Sequence, residues 1–123
     1  MKKIIGNSSQ NEAPIIESLY DLQKKLFRVC QGLSKQIKFT YGQRSEILLS
    51  EIFEMVILAY RKPKIEQLPI LEKADAKLFV LKFNIRLLWE LGAIKETTLV
   101  DLQKDVLKIG KMLGGWIKSR RII

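Results

Sequence analysis

The sequence predicts an all-α fold, an up-down-up-down bundle of four helices. Four long stretches repeat apolar residues at alternating steps of three and four, the spacing that places side chains on one face of an α-helix. Glycine and proline residues separate these stretches, and none of them shows the sustained period-two alternation that indicates strands. Four helices that each carry one apolar stripe, joined by short connections, bury those stripes by packing as antiparallel neighbours.

The first two helices are predicted on either side of a glycine turn. The first spans residues 15–37, whose apolar stripe at helical spacing consists of Ile15, Leu19, Leu22, Leu26, Val29 with Cys30, Leu33 and Ile37. A turn is expected at Gly42, and Ser45 is a suitable N-cap for the second helix. Pro63 closes that helix, because proline disfavours helical geometry in the residue before it.

The third helix is predicted over residues 70–92, after a connection that ends at Pro69. Gly92 is a natural C-terminal stop for it. The fourth helix is predicted from residue 97 or 98, where a threonine is the candidate cap, to about residue 119. Its stripe repeats at steps of three and four through Leu99, Leu102, Val106, Ile109, Leu113 and Trp116.

The length of 123 residues suits one domain. We expect residues 15–121 to form the bundle and residues 1–14, which are polar and aperiodic, to form a flexible N-terminal arm. The single cysteine, Cys30, occupies an apolar helical position and excludes an intrachain disulfide, which fits a reducing cytoplasm. No apolar stretch reaches the roughly 18 residues of a membrane span, so we expect a cytoplasmic protein that does not contact membranes.

The charge balance predicts binding to a polyanion rather than catalysis. The chain has 22 Lys plus Arg against 13 Asp plus Glu, a formal net charge of +9, which favours encounters with nucleic acid. It has no histidine, no cysteine pair, no glycine-rich phosphate loop and no carboxylate cluster of metal-binding pattern. We therefore expect no enzyme activity, no cofactor and no metal site.

The cations concentrate on the fourth helix and on one strip of the third. The predicted nucleic-acid or partner-binding residues are Lys82 and Arg86 on the third helix, with Lys104, Lys108, Lys111, Lys118, Arg120 and Arg121 on and after the fourth. Such a row follows a phosphate backbone, where each neutralised phosphate releases counterions. The alternative is an ordinary solvated helix face.

The third helix carries two apolar faces. Its inward stripe is predicted to be Ala74, Leu78, Leu81, Ile85 and Leu88, and a second group lies on nearly the opposite side: Val80, Phe83, Leu87 and Leu91. One bundle core does not bury both, so we interpret the second group as an oligomer interface, because monomers rarely expose apolar patches of this size. Packing within a broad core is the alternative.

Glycines inside the fourth helix are unfavourable relative to alanine and require a reason. We predict that Gly110, Gly114 and Gly115 permit the close approach of another helix, with Trp116 packed beside it. The approach of a ligand is the alternative interpretation.

Two segments resemble the Avd-like four-helix bundle proteins, the accessory variability proteins of diversity-generating retroelements. One is Leu-Lys-Phe-Asn-Ile-Arg at residues 81–86, and the more specific one is Gly-Lys-Met-Leu-Gly-Gly-Trp-Ile at residues 110–117. The resemblance is best over residues 71–118. The family pattern has arginines at both positions corresponding to Lys82 and Arg86, so Lys82 keeps the charge but lacks the planar fork that suits bidentate phosphate binding.

The resemblance implies a ring-shaped homo-oligomer, a homopentamer in the family, with a basic surface. It also implies binding to the retroelement reverse transcriptase and to RNA or DNA, that is, template RNA and complementary DNA, in support of mutagenic retrohoming. Related four-helix proteins encoded in ribosomal RNA intervening sequences share the fold, so a ribosome-associated or structural bundle without a polymerase partner is the alternative function.

Overall fold

The computed structural model describes residues 13–122, which contain four long helices and no strand. We label these helices α1 (Ala13–Gln31), α2 (Gln43–Tyr60), α3 (Lys64–Glu90) and α4 (Glu96–Arg121). The predicted all-α class and the number of helices are confirmed. Most of the predicted arm lies outside the described residues, whereas Ala13 and Pro14 belong to α1, so the bundle begins two residues earlier than predicted.

Each helix packs against its neighbours in the sequence, and α1 closes the bundle against α4. Ion pairs show that neighbours run antiparallel, since Arg121 at the end of α4 reaches Glu72 in the first half of α3, and Lys25 in the second half of α1 reaches Asp101 near the start of α4. The buried core comes from all four helices. The predicted inward stripe of α3 is buried in full, as are six of the residues predicted for the first helix: Ile15, Leu19, Leu22, Leu26, Cys30 and Leu33.

The connection between α1 and α2 differs from the prediction. α1 ends at Gln31, not at residue 37, and the chain turns at Gly32, whose amide donates to the Val29 carbonyl at 3.1 Å. A short helical turn, Lys35–Ile37, and a π-helical segment, Lys38–Gly42, then run directly into α2. The turn predicted at Gly42 is therefore wrong.

Close packing explains why Gly42 lies within a helix. A Cβ at this position would lie 2.9 Å from Cδ1 of Leu33 and 3.3 Å from the carbonyl oxygen of Ile37. Ser45 is not an N-cap, because it is fully buried and its hydroxyl donates to the Tyr41 carbonyl, one helical turn earlier, at 2.8 Å.

The bounds of α3 and α4 also differ from the prediction. α3 begins at Lys64 rather than residue 70, with Pro69 inside the helix, so the predicted connection up to Pro69 is wrong. α4 begins at Glu96 with Lys95 at its N-cap, and neither threonine caps it.

The predicted stop at Gly92 is confirmed. Gly92 has a φ of 76°, its amide donates to the Trp89 carbonyl at 2.9 Å, and the Ala93 amide donates to the Leu88 carbonyl at 2.8 Å. This is the Schellman arrangement, in which a left-handed residue, usually glycine, ends a helix.

Candidate nucleic-acid interface

Four of the predicted cations form an exposed row along α4. The helix buries Leu102, Val106, Ile109, Leu113 and Ile117 against the core, which directs the opposite face to solvent. That face carries Lys104, Lys108, Lys111 and Lys118, all exposed and spaced by three, four or seven residues. At 1.5 Å of rise per residue, the row extends about 21 Å. We call these four residues the α4 lysine row.

Two acidic side chains of α4, Asp101 and Asp105, are neutralised by another helix. Lys25 of α1 donates to Asp105 at 2.7 Å and to Asp101 at 3.0 Å. The hydrogen bond to Asp105 is the largest influence on Lys25 and raises the pKa of its ammonium group, against the lowering effect of partial burial. Within residues 13–122, no lysine of the row forms an ion pair. The row therefore keeps its charge available for an external anion.

The two arginines that follow the row are held by the protein itself. Arg120 is half-buried, and its guanidinium donates to the side-chain oxygen of Gln67 and, at 3.2 Å, to the Ser119 hydroxyl. Arg121 donates to Glu72 at 2.9 Å. Both arginines thus have partners within the protein, whereas the lysines of the row are unpaired.

Lys82 and Arg86 lie on the exposed side of α3. The ammonium of Lys82 lies 6.0 Å from the ring centroid of Phe79, and Arg86 pairs with Glu90 at 3.0 Å. Lys82 and Lys111 line the same groove between α3 and α4, a cavity of about 730 Å³. The structure thus brings one predicted cation of α3 to the α4 lysine row.

The second apolar face of α3 lies outside the bundle core. Val80, Phe83 and Leu91 are 47%, 50% and 50% exposed, and Leu87 is half-buried. Phe79, 60% exposed, meets Phe83 edge to face, with ring centroids 5.2 Å apart. The alternative of a broad core that covers this group does not hold for the single chain. Its role as an oligomer interface stays a prediction.

The glycines of α4 have different surroundings. A Cβ at Gly110 would lie 3.6 Å from Cδ2 of Leu78, an ordinary contact with α3. At Gly114 and Gly115 no atom lies within 4 Å of that position. No helix of the described residues comes close to Gly114 or Gly115, so the close approach of another helix at these two positions stays a prediction.

A buried glutamine that the sequence did not point to organises one end of the bundle. Gln67, 6% exposed, lies in the first turn of α3, and its amide nitrogen donates to the carbonyl oxygens of Ala59 at 2.8 Å and Lys62 at 3.2 Å. Its side-chain oxygen accepts from the indole nitrogen of Trp116 at 3.3 Å and from Arg120. We call this set of contacts the Gln67 hub. Sequence reasoning missed it because residue 67 was assigned to a connection.

Residues 13–122 carry neither a cluster of metal ligands nor a membrane-spanning helix. Their His, Cys, Asp and Glu side chains form no group of three or more that could hold a metal ion. None of their helices is long and apolar enough to cross a membrane. Cys30 is buried as predicted, and burial, with a smaller contribution from Glu46, raises the pKa of its thiol to about 11.

The fold and these surfaces define a class, a four-helix bundle with a basic face and an apolar patch outside its core. Within that class, residues 15–120 match the model of the family described as bAvd-like, and the chain belongs to this family. A comparison with curated proteins gives no match. The predicted Avd-like resemblance is confirmed.

Proposed function

We propose that this chain is a non-catalytic accessory protein of a diversity-generating retroelement. It binds nucleic acid, either template RNA or complementary DNA, and the reverse transcriptase of the element, and it thereby supports mutagenic retrohoming in the cytoplasm. The observation that carries this proposal is the unpaired α4 lysine row on a chain of the bAvd-like family.

The geometry of the row suits a phosphate backbone better than a small anion. Four ammonium groups spread over about 21 Å face several successive phosphates rather than converging on one point. The C-terminal end of α4 carries the negative end of the helix dipole, which favours cations there. Two carboxylates of α4, Asp101 and Asp105, are already bonded to Lys25, which weakens their repulsion of a polyanion.

The proposal includes assembly into a ring-shaped homopentamer. The exposed apolar residues of α3, with Val80 and Phe83 about half exposed, are of the kind that subunit contacts cover. Copies of the chain would place several lysine rows in one particle, and linked rows bind a long polyanion far more tightly than one row does.

A charge-matched pair of variants tests nucleic-acid binding. One replaces Lys104, Lys108 and Lys111 by alanine. The control replaces Lys35, Lys64 and Lys73, which are also exposed, lie on other faces and form no ion pair within the described residues. Affinity for single-stranded RNA is measured by fluorescence anisotropy at several salt concentrations. We expect the first variant to lose affinity and its salt slope to fall by about two, at about 0.7 per neutralised phosphate.

The control is expected to stay close to wild type, apart from a uniform effect of net charge. Equal losses in the two triple variants would show that only net charge matters and would remove the row from the proposal. For the reverse transcriptase, we expect a Lys82→Ala, Arg86→Ala variant to lose RNA or enzyme binding while circular dichroism shows an intact fold. Failure of the wild-type chain to co-purify with such an enzyme would contradict that half of the proposal.

A further inference from the structure

The α4 lysine row has one gap, and the gap is a glycine. Position 115 lies four residues after Lys111 and three before Lys118, so it continues the same helical line. Glycine weakens a helix interior, and here no neighbouring atom requires it, because nothing lies within 4 Å of the position of a Cβ. Packing within the chain therefore does not explain Gly115.

Gly115 borders a cavity of about 460 Å³ at the end of the bundle. This volume is in the range of pockets that hold small organic ligands. Its lining combines two aromatic residues, Tyr60 and Trp116, with two cationic ones, Lys111 and Arg120. Lys111 lines this cavity and also the groove between α3 and α4, so the lysine row passes along the cavity rim.

The aromatic and cationic walls are held in place before any ligand binds. The Trp116 ring packs on Tyr60 with centroids 4.5 Å apart, and its indole nitrogen is bonded to Gln67. The same glutamine oxygen accepts from Arg120, which fixes the guanidinium beside the indole. A side chain at position 115 would project into the space that the glycine leaves open, beside this rigid aromatic wall.

We propose that this cavity binds one unpaired base of a single-stranded nucleic acid, stacked on Trp116, while the adjoining phosphates lie against Lys111 and Arg120. The inference rests on the proposed function and names its preferred substrate. Aromatic side chains beside a cationic track are the means by which proteins hold single strands, since every base has a face that stacks. The bases of a duplex are paired and stacked on one another, so a duplex contacts the lysine row without entering the cavity.

The test uses the full chain with Trp89→Phe, which leaves Trp116 as its only tryptophan. The probes are a short oligouridylate, an RNA duplex of equal length and inorganic polyphosphate, each titrated at low salt. We expect all three to bind, and only the oligouridylate to quench the emission of Trp116. Quenching of equal size by polyphosphate would overturn the proposal, because polyphosphate has no base.

Two leucine variants separate the cavity from the helix that carries it. Gly115→Leu fills the space at the cavity, and Gly114→Leu is the matched control, since Gly114 is equally exposed and open but does not line the cavity. We expect Gly115→Leu to lower affinity for the oligouridylate about tenfold, the loss of one stacked base, with less than about a twofold change for the duplex. Gly114→Leu should leave both affinities unchanged.

Equal behaviour of the two leucine variants would overturn the base-binding cavity while leaving the lysine row intact. A loss confined to reverse-transcriptase binding in Gly115→Leu would overturn it too, and would assign the cavity to a polypeptide. If none of the three probes binds wild-type protein, the nucleic-acid role in the proposed function fails along with the cavity.

Discussion

Replacing Gln67 by leucine tests whether one buried amide holds three helices together. The change keeps a similar side-chain volume and removes the bonds to the Ala59 carbonyl of α2 and to Trp116 and Arg120 of α4. The fourth bond of the hub, 3.2 Å to the carbonyl of the exposed Lys62, adds little to the sum because water replaces it there. Each neutral bond contributes about 1 kcal/mol and the charge-assisted one about 1.5 kcal/mol, while the buried leucine returns about 1 kcal/mol. We expect a net loss of about 2 to 3 kcal/mol in the free energy of unfolding.

Urea unfolding followed by circular dichroism measures this loss. The variant and wild type are compared at one protein concentration, because assembly would otherwise shift the transition. For a chain of this size the urea m-value is about 1.5 kcal/mol/M, so the midpoint should fall by about 1.5 M with an unchanged slope.

Gln103→Leu is the matched control, since it makes the same chemical change at a half-buried glutamine. The amide nitrogen of Gln103 donates to the Lys82 carbonyl at 3.3 Å, but its oxygen is buried without a partner among the described residues. Removing that unsatisfied oxygen offsets the lost bond, so this variant should lose less than about 1 kcal/mol. If both leucine variants lost the same free energy, the reasoning about the Gln67 hub would be refuted.

Two further predictions concern Cys30 and Gly92. The pKa of the Cys30 thiol is raised from 9.0 to about 11, chiefly by burial, so its contribution to stability is complete below pH 9 and is lost as the pH rises toward 11. Relative to Cys30→Ala, wild type should lose about 3 kcal/mol of unfolding free energy over that interval, and a constant difference in urea unfolding would contradict this. Gly92→Ala should cost about 1 to 2 kcal/mol through its positive φ alone, because nothing lies within 4 Å of the new Cβ. Gly92→Asn should cost less in thermal unfolding, and equal losses would argue against backbone strain as the cause.

The sequence predicted the core more reliably than the ends of the helices. The inward stripe of α3, which includes Leu81 and Ile85, is buried as predicted. The prediction succeeded because the apolar periodicity of a helix indicates which face packs in the core. The predicted turn at Gly42 and the predicted connection up to Pro69 were wrong because glycine and proline are common helix breakers. Gly42 is needed for close packing against Leu33, and Pro69 removes one hydrogen bond near the start of α3, where the carbonyl partner belongs to the exposed Ile65.

The positions of the exposed cations were predictable, but their hydrogen bonds and ion pairs with the rest of the protein were not. Spacing alone placed the lysines on one face of α4. That Arg120 is bonded to Gln67 depends on α3 beginning at Lys64, which places Gln67 in a helix beside α4. Whether a cation is unpaired is set by tertiary contacts, and a single sequence carries no signal for them.

The segment at residues 110–116 has a sequence that disfavours a helix but must hold a fixed structure, and the Gln67 hub provides the missing stability. Three glycines in seven residues lower the intrinsic helix stability of this part of α4, yet Lys111 and Trp116 need fixed positions if the cavity is to bind a base. Contacts with α2 and α3 compensate for the low intrinsic helix stability, because Tyr60 and Gln67 hold Trp116 in place. Loss of Gln67 should therefore reduce oligouridylate affinity more than duplex affinity, even though this residue carries no charge. An equal effect of Gln67→Leu on both ligands would show that the order of α4 near the cavity does not depend on the hub.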